Sequence, residues 1–307
     1  MTKPWSVQIE MTEGCFRRCP WCAVGNEKLF PRGVYRFMTL EMADKISNQL
    51  NSWLRKPIRI EFAMAGEPLL NPNYLKIIKI FNKNFPMAQL QLSTNGILLM
   101  DKFKQKVEQL FEAGLNLLVL DMYNPEGKSL KKLVWRTSFN VKNLEIIDFY
   151  KTKKTPYRNY GNKSKMIFLM SDISEKSGER TNRKLFNHAG NVDFEKSKKY
   201  NIFPILKPLE KKCTNVFREL VIKYNGKITI CCMDFARERI VGDVNENTLK
   251  NIWESDYYMI LRALLFRKNR SFLPCSKCDY WGGFRQGIGL FDPMSSINTE
   301  ELLNCVK

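Results

Sequence analysis

Apolar and polar positions change period along the chain, and those changes divide it. Ser6 to Met11 alternates, as a half-buried strand does. Thr39 stands where a helix N-cap belongs and Glu41 supports the first turn, so a helix is predicted to about Leu54. Ile58 to Ala63 reads as a short strand after Pro57. Between Asn73 and Asn84 the apolar residues fall at 75, 77, 78, 80 and 81, a helical spacing. Ala88 to Ser93 alternates again. Lys102 to Ala113 is predicted helical and ends at Gly114. Leu115 to Asp121 is almost wholly apolar, as expected of a strand buried on both faces. Asn143 to Phe149 and Lys165 to Met170 are further strands. Strand–helix alternation with short connections predicts parallel β/α units. Six such strands are too few for a closed eight-stranded barrel and suit a partial one.

The pattern then changes. Phe217 to Lys223, the turn Tyr224-Asn225-Gly226, and Lys227 to Ile230 read as a β-hairpin. Thr248 is placed to cap a helix with apolar residues at 249, 252, 253, 260, 263 and 264, and Pro274-Cys275-Ser276-Lys277-Cys278 follows. The expected fold class is α/β: a partial (β/α)6 TIM-like barrel with a small C-terminal α+β domain of hairpin plus helix. The expected division is 1–190 for the barrel, 191–212 for a basic linker, 213–290 for the second domain and 291–307 for a tail.

Charge adds one feature. The 307 residues carry a net charge of +19. Residues 151–212 hold 16 Lys plus Arg against six Asp plus Glu, with Tyr150, Tyr157 and Tyr160 interleaved. Such a segment attracts polyanions and makes binding salt-dependent, and the tyrosines could stack on bases; a solvated basic face explains it equally. No run approaches the ~20 apolar residues of a membrane span, and Met1 to Val7 holds no secretory h-region. A cytoplasmic protein without membrane contact is expected.

Nine cysteines in such a chain read as metal ligands, catalytic groups or core fillers rather than disulfides. Cys15, Cys19 and Cys22 form C-x3-C-x2-C directly after the first strand. Three thiolates on one loop can hold three irons of a 4Fe–4S cube and leave the fourth open to an outside ligand. The only histidine, His188, lies far along the chain, and soft thiolates without a nitrogen partner favour iron–sulfur. Cys213, Cys231, Cys275 and Cys278 supply four thiolates, which closes a site for either a 4Fe–4S cluster or a zinc ion. Cys232 and Cys305 are left over and read as structural or incidental.

Cys15-Phe-Arg-Arg-Cys19-Pro-Trp-Cys22 resembles the cluster loop of radical S-adenosylmethionine (SAM) enzymes. Ala65-Gly66-Glu67-Pro68 after the second strand is similar to that family's GGEP element, with Ala in place of the first Gly, and Ser93-Thr94-Asn95-Gly96 ends the third strand where the family often has a polar set. Cys213-x12-Gly226-x4-Cys231 resembles the opening of the SPASM pattern, but Phe284 and Ile288 stand where two further cysteines would complete it, so the single-cluster twitch arrangement is implied. Arg180 to Gly190 is similar to the Asn-Arg-x-Gly element before SPASM domains, with an insertion.

The resemblance implies that Cys15, Cys19 and Cys22 hold a SAM-binding 4Fe–4S cluster and that Cys213, Cys231, Cys275 and Cys278 hold an auxiliary one. It implies reductive cleavage of SAM to a 5′-deoxyadenosyl radical, fed by an electron donor such as flavodoxin or ferredoxin. Glu67 is the candidate for the SAM amino group, with Gly66 allowing close backbone approach. Ser93, Thr94 and Asn95 are candidates for its ribose or carboxylate, or serve turn chemistry. Trp21 lies against adenine or packs in the core. Asp121 faces the barrel mouth, where function collects. No catalytic acid or base is identified. The basic segment points to a nucleic-acid or nucleotide-linked substrate, such as amino-acid-modified thymidine in phage DNA. The alternatives are a peptide maturase, a small-molecule dehydrogenase of the twitch type, and a zinc-bound nucleic-acid module without enzymatic activity.

Overall fold

The computed structural model describes residues 3–54, 59–123, 126–152, 165–173, 185–282 and 294–307. Its strands are β1 (Ser6–Ile9), β2 (Thr12–Glu13), β3 (Arg36–Phe37), β4 (Arg59–Phe62), β5 (Gln89–Thr94), β6 (Leu117–Tyr123), β7 (Leu144–Asp148), β8 (Lys165–Ile173), β9 (Glu219–Ile222), β10 (Lys227–Thr229) and β11 (Ile240–Asp243). Nine of them form one open sheet in the order β11-β10-β9-β1-β4-β5-β6-β8-β7. From β9 to β7 every pairing is parallel, whereas β10 and β11 run antiparallel.

The helices form where the apolar spacing places them. Leu40–Trp53 starts on the Thr39 side chain, which accepts from the Met42 amide, and buries Ala43, Ile46, Leu50 and Trp53 along one stripe. Tyr74–Asn84 buries Ile77, Ile78 and Phe81, and Phe103–Glu112 buries Val107, Leu110 and Phe111. These stripes cover one face of the sheet, where Val7, Ile9, Ile60, Phe62, Leu90, Leu92, Leu118, Leu120, Ile167 and Leu169 meet them in a single core. The opposite, inner face changes character across the sheet. It is polar on β1, β4 and β5, where Gln8 pairs in register with Glu61 and Glu61 with Gln91. On β6, β7 and β8 it is apolar, where Leu117, Val119, Ile147, Met166, Phe168 and Met170 pack together.

Three features depart from the sequence reading. The last barrel strand, β8, sits between β6 and β7 rather than after β7. Met166 to Leu169 are all buried, while β7 keeps exposed positions; the strand apolar on both faces therefore takes the interior place and the half-polar one the edge. The helix expected after Thr248 is two helices, Leu249–Trp253 and Asp256–Phe266, because Ser255 starts the second by accepting from the Tyr258 amide. The C-terminal hairpin also extends the main sheet, with β9 pairing in parallel with β1 along Ser6 to Ile9.

The hairpin is fastened to the sheet by a buried ion pair. Lys223, just past β9, donates to Glu10, just past β1, at 2.5 Å, and both side chains are fully buried. Glu10 also accepts from the backbone amides of Tyr224 (3.3 Å) and Ala65 (3.2 Å). Removing one partner of such a pair strands the other's charge in a dry interior. Lys223→Met is expected to lower the unfolding free energy by about 3–5 kcal/mol in denaturant titrations.

Candidate active site

The loop after β2 brings Cys15, Cys19 and Cys22 to one cavity of about 170 Å³, shared with Gly66, Glu67, Ser93, Thr94, Asn95 and Asp121. The loop is closed by its own hydrogen bonds. The Cys22 amide donates to the Cys19 carbonyl at 3.0 Å, and Arg18 donates to the carbonyls of Val24 (2.7 Å) and Pro31 (3.1 Å). Arg17 lines the cavity, pairs with Glu126 at 2.7 Å and lies over the Tyr123 ring. The Arg17 amide also donates to Cys15 Sγ at 3.4 Å. Burial pushes the thiols of Cys15 and Cys22 up to about 12. As thiolates they therefore depend on a bound metal cation for compensation.

Gly66 and Glu67 fix the second wall. A Cβ on Gly66 would fall 2.2 Å from the Thr12 carbonyl oxygen and 2.7 Å from that of Gly14. The close approach it permits is thus to the chain's own backbone, where Gly14 and Gly66 form a parallel bridge. Glu67 is 2% exposed. One carboxylate oxygen accepts from the Thr94 hydroxyl (2.6 Å) and the Leu69 amide (3.2 Å), the other from the Asn95 amide (3.1 Å) and Asn95 Nδ2 (2.6 Å). Burial nonetheless pushes this carboxyl up to about 7, with Asp121 adding to the rise. Thr94 and Asn95 are thus engaged by Glu67. Asn95 Nδ2 also reaches Cys15 Sγ at 4.0 Å. Ser93 donates to Glu61 at 3.1 Å. Met64, on the same wall, holds a φ of 130°, a strained backbone for a residue with a side chain.

Trp21 does not line this cavity. Its ring meets Tyr123 (5.5 Å between centroids) and Tyr200 (4.9 Å), within a cluster holding Val192 and Ile202. His188, distant in sequence, is close in space. The Ala23 amide donates to its Nδ1 at 3.0 Å, and its ring stacks on Phe235 at 4.6 Å. The expectation that no histidine lies near the N-terminal cysteines is therefore corrected; Nδ1, as acceptor of that bond, is spent on the backbone.

Cys213, Cys231, Cys275 and Cys278 are all buried, and the last two come from a short turn after Pro274. Burial raises all four thiols, and Cys231 is raised further by the other three. Arg270, 2% exposed, opposes that rise at Cys213, Cys275 and Cys278. Its guanidinium is held by the carbonyls of Lys211, Lys212 and Tyr280. A Cβ on Gly282 would fall 2.9 Å from Cys213 Sγ, so the backbone closes tightly over the sulfur. A buried cation acting on three of four soft donors fits an anionic iron–sulfur cluster. Among the described residues no group of three or more His, Cys, Asp or Glu side chains is gathered so that it could hold a metal ion.

Of the two readings given for Cys232, the structural one fits its contacts. Its thiol bonds to the buried Glu219 and lies near Glu61, on the polar inner face. Cys305 is exposed and donates to the Glu301 carbonyl at 3.3 Å. Lys153, Lys154, Tyr157, Arg158, Tyr160 and Arg180, central to the basic-segment reading, lie outside the described residues, as do Phe284 and Ile288. Of that segment's described part, Lys165 donates to the carbonyls of Leu115 (2.6 Å) and Phe111 (3.2 Å), and Lys198 pairs with Glu195. Arg17, Met64, Tyr123 and His188 escaped the sequence reading. Arg17 alone, inside the motif, carried a signal.

No described helix is long and apolar enough to cross a membrane. The family model for the Radical SAM superfamily matches residues 9–170, and that for SPASM, an iron–sulfur cluster-binding domain, matches residues 213–279. The S-adenosyl-L-methionine-dependent 2-deoxy-scyllo-inosamine dehydrogenase of Niallia circulans is 21% identical over 86% of this chain and 88% of its own length. A GTP 3′,8-cyclase of Clostridium perfringens is 31% identical, over only 33% of this chain and 30% of the cyclase. The crystal structure of BtrN in complex with AdoMet and 2-DOIA aligns at a TM-score of 0.67 and 20% identity, covering 91% of this chain and 95% of that one. Streptococcus suis SuiB bound to precursor peptide SuiA aligns at 0.53 and 14%, covering 90% and 72%. These likenesses show the fold.

Gly66→Ala is expected to push the Thr12–Gly14 segment and with it the cysteine loop. The check is iron bound per chain after anaerobic reconstitution, which should fall by about half or more, with stability lower by about 1–3 kcal/mol.

Proposed function

Because this chain belongs to the radical SAM superfamily, we propose that it oxidises a small molecule held on the inner face of the sheet by hydrogen abstraction. In this reading Cys15, Cys19 and Cys22 hold the N-terminal 4Fe–4S cluster, and Cys213, Cys231, Cys275 and Cys278 hold an auxiliary one. When bound, the first cluster with SAM supplies a 5′-deoxyadenosyl radical. The second, when bound, would supply an acceptor for the one electron that the substrate radical must still lose, with a proton, to reach the oxidised product. The observation that carries the proposal is the single cavity joining the three-thiol loop to Glu67 and to Ser93, whose hydroxyl is bonded to Glu61 on the inner face. Near end-to-end similarity to a SAM-dependent dehydrogenase supports the oxidative outcome.

The chain's own residues have distinct tasks here. Glu67 accepts from the SAM amino group while tying the loops after β4 and β5 together. Arg17, fixed by Glu126, sets the edge of the cysteine loop. Val119, Phe168 and Met170 exclude water from one side. An electron donor of the flavodoxin or ferredoxin class feeds the first cluster. In the same reading we place the division at 190 and 213, with the hairpin of the second part paired onto the main sheet. Glu61, Asp121 and Glu219 on the inner side do not favour a phosphate-bearing substrate there.

Two outcomes test this. The iron-loaded protein with dithionite and SAM should release 5′-deoxyadenosine, and Cys15→Ala should abolish it; an iron-loaded wild type that releases none overturns the reading. Burial pushes the Glu67 carboxyl up to about 7. Ionised, it is the stronger acceptor for the SAM amino group, so SAM affinity should rise by up to about tenfold between pH 6 and pH 8. Equilibrium binding across that range should show the rise in the wild type and a flat profile in Glu67→Gln.

A further inference from the structure

The three N-terminal cysteines are not served alike. Cys15 Sγ takes the Arg17 backbone amide at 3.4 Å and Asn95 Nδ2 at 4.0 Å. Cys22 takes the backbone amides of Val24 and Gly25. Cys19 takes the guanidinium of Arg17, two residues back in the same loop. The first two sulfurs therefore meet neutral dipoles, and the third meets a full positive charge. Arg17 and Cys19 are also the two residues that line both the cavity of the cysteine loop, about 170 Å³, and an outer groove of about 450 Å³ that they share with Glu126 and Tyr200. The pair stands in the wall between the cluster cavity and the outside.

The guanidinium is held from the far side. Arg17 Nη1 donates to Glu126 at 2.7 Å, and Glu126 opens the helix Glu126–Arg136. The guanidinium carbon lies 5.5 Å from the centroid of the Tyr123 ring. A planar fork can bond a carboxylate and a sulfur at once, which an ammonium on a flexible stem does not hold as rigidly. The two ends of the fork differ in surroundings. The Glu126 side chain is 37% exposed and the Arg17 side chain 16%. Water screens the carboxylate, whereas the charge on the cavity side acts through a drier medium, where Coulomb interactions are stronger. The cation therefore outweighs its tether at the sulfur. Asp121, on the cavity wall, acts on Cys19 in the opposite sense.

The reduction potential of an iron–sulfur cluster follows its net charge and the hydrogen bonds to its sulfurs. One added electron makes the cluster one unit more negative, so a fixed cation on a ligand sulfur favours the reduced form. We propose that Arg17, acting through Cys19 and tethered by Glu126, is a positioning residue that raises the reduction potential of the N-terminal cluster. The electron so favoured is the single one that the cluster accepts from a donor of the flavodoxin or ferredoxin class, which is oxidised by one electron in turn. The inference rests on Cys15, Cys19 and Cys22 holding that cluster, and on nothing about the substrate.

The test is a redox titration of the holoenzyme, both clusters in place, followed by electron paramagnetic resonance with low-potential mediators. The signal that changes on adding SAM reports the N-terminal cluster, and the other serves as an internal reference. Arg17→Gln should lower the equilibrium constant for one-electron reduction about tenfold, a shift of about 59 mV. Arg17→Lys keeps the charge and loses the fork, so it should lower the constant only about threefold. Glu126→Gln keeps an acceptor for the tether and removes the opposing charge, so it should raise the constant about threefold. The reference signal should not move in any variant. The proposal is overturned if Arg17→Gln keeps the wild-type potential, if Arg17→Lys falls as far as Arg17→Gln, or if both signals shift together. If Arg17→Gln assembles no N-terminal cluster, Glu126→Gln decides: a rise supports the proposal, and an unchanged or lower potential overturns it. A wild type loaded with iron but without a SAM-responsive signal sinks the assignment of the three cysteines; a responsive signal with unmoved potentials sinks the role of Arg17 alone.

Discussion

The buried pair of Glu10 and Lys223 is the joint on which the two cysteine sets depend. Glu10 leaves β1 just before the N-terminal cysteine loop, and Lys223 leaves β9 at the hairpin turn. The same carboxylate takes the Ala65 amide, one residue before Gly66 and Glu67. One anionic group therefore fixes three chain ends: the stem of the cysteine loop, the wall that carries Glu67, and the hairpin that leads to Cys231. In a dry interior each of these bonds is strong because water does not compete, and each is obligatory because the charge has no other outlet. Glu13 repeats the device nearer the surface, where its buried carboxylate is paired by Arg36 and Arg237. Two acids from one short stretch thus collect cations from distant segments.

The sheet turns this joint into a site by having two unlike faces. Toward the helices every strand contributes branched and aromatic apolar residues, and close packing holds the strand positions rigid. The inner face is released from that duty. On β1, β4 and β5 it carries Gln8, Arg59, Glu61, Gln91 and Ser93, residues that would be costly in a core unless they bonded to one another or to a ligand. They do bond to one another, through Glu61, and the bonds stop short of satisfying the amide oxygens.

Local pattern carried much of this. Thr39 and Thr248 cap helices as their spacing predicts, and the Asn225-Gly226 turn joins an antiparallel hairpin. The alternation over Ala88 to Ser93 marks a strand, and β5 forms there. Long-range pairing was beyond reach. Nothing in β8 alone says that it enters between β6 and β7, because strand order is decided by competing burial across the whole sheet. The parallel pairing of β9 with β1 joins residues more than two hundred positions apart, and no local signal marks it. Trp21 was ambiguous for a related reason: one aromatic in a loop packs on whatever the fold delivers, and here that is Tyr123 and Tyr200.

The segment from Asn187 to Asn191 shows how such pairings become functional geometry. Asn187 exchanges hydrogen bonds with Asp279 and donates to the Lys277 carbonyl, both beside the C-x2-C turn. His188 and Asn191 reach the other way, to the Ala23 amide and the Asn26 side chain behind the N-terminal cysteine loop. His188, Ala189 and Gly190 all take positive φ, which turns the chain sharply enough for neighbouring residues to face opposite loops. Left-handed conformations at a histidine and an alanine are costly, and they persist only when contacts on both sides hold them. The distance between the two thiol sets is therefore set by two independent struts, the Glu10–Lys223 joint at one end of the strands and this five-residue bridge between the cysteine loops. With both in place neither loop can shift without straining the other.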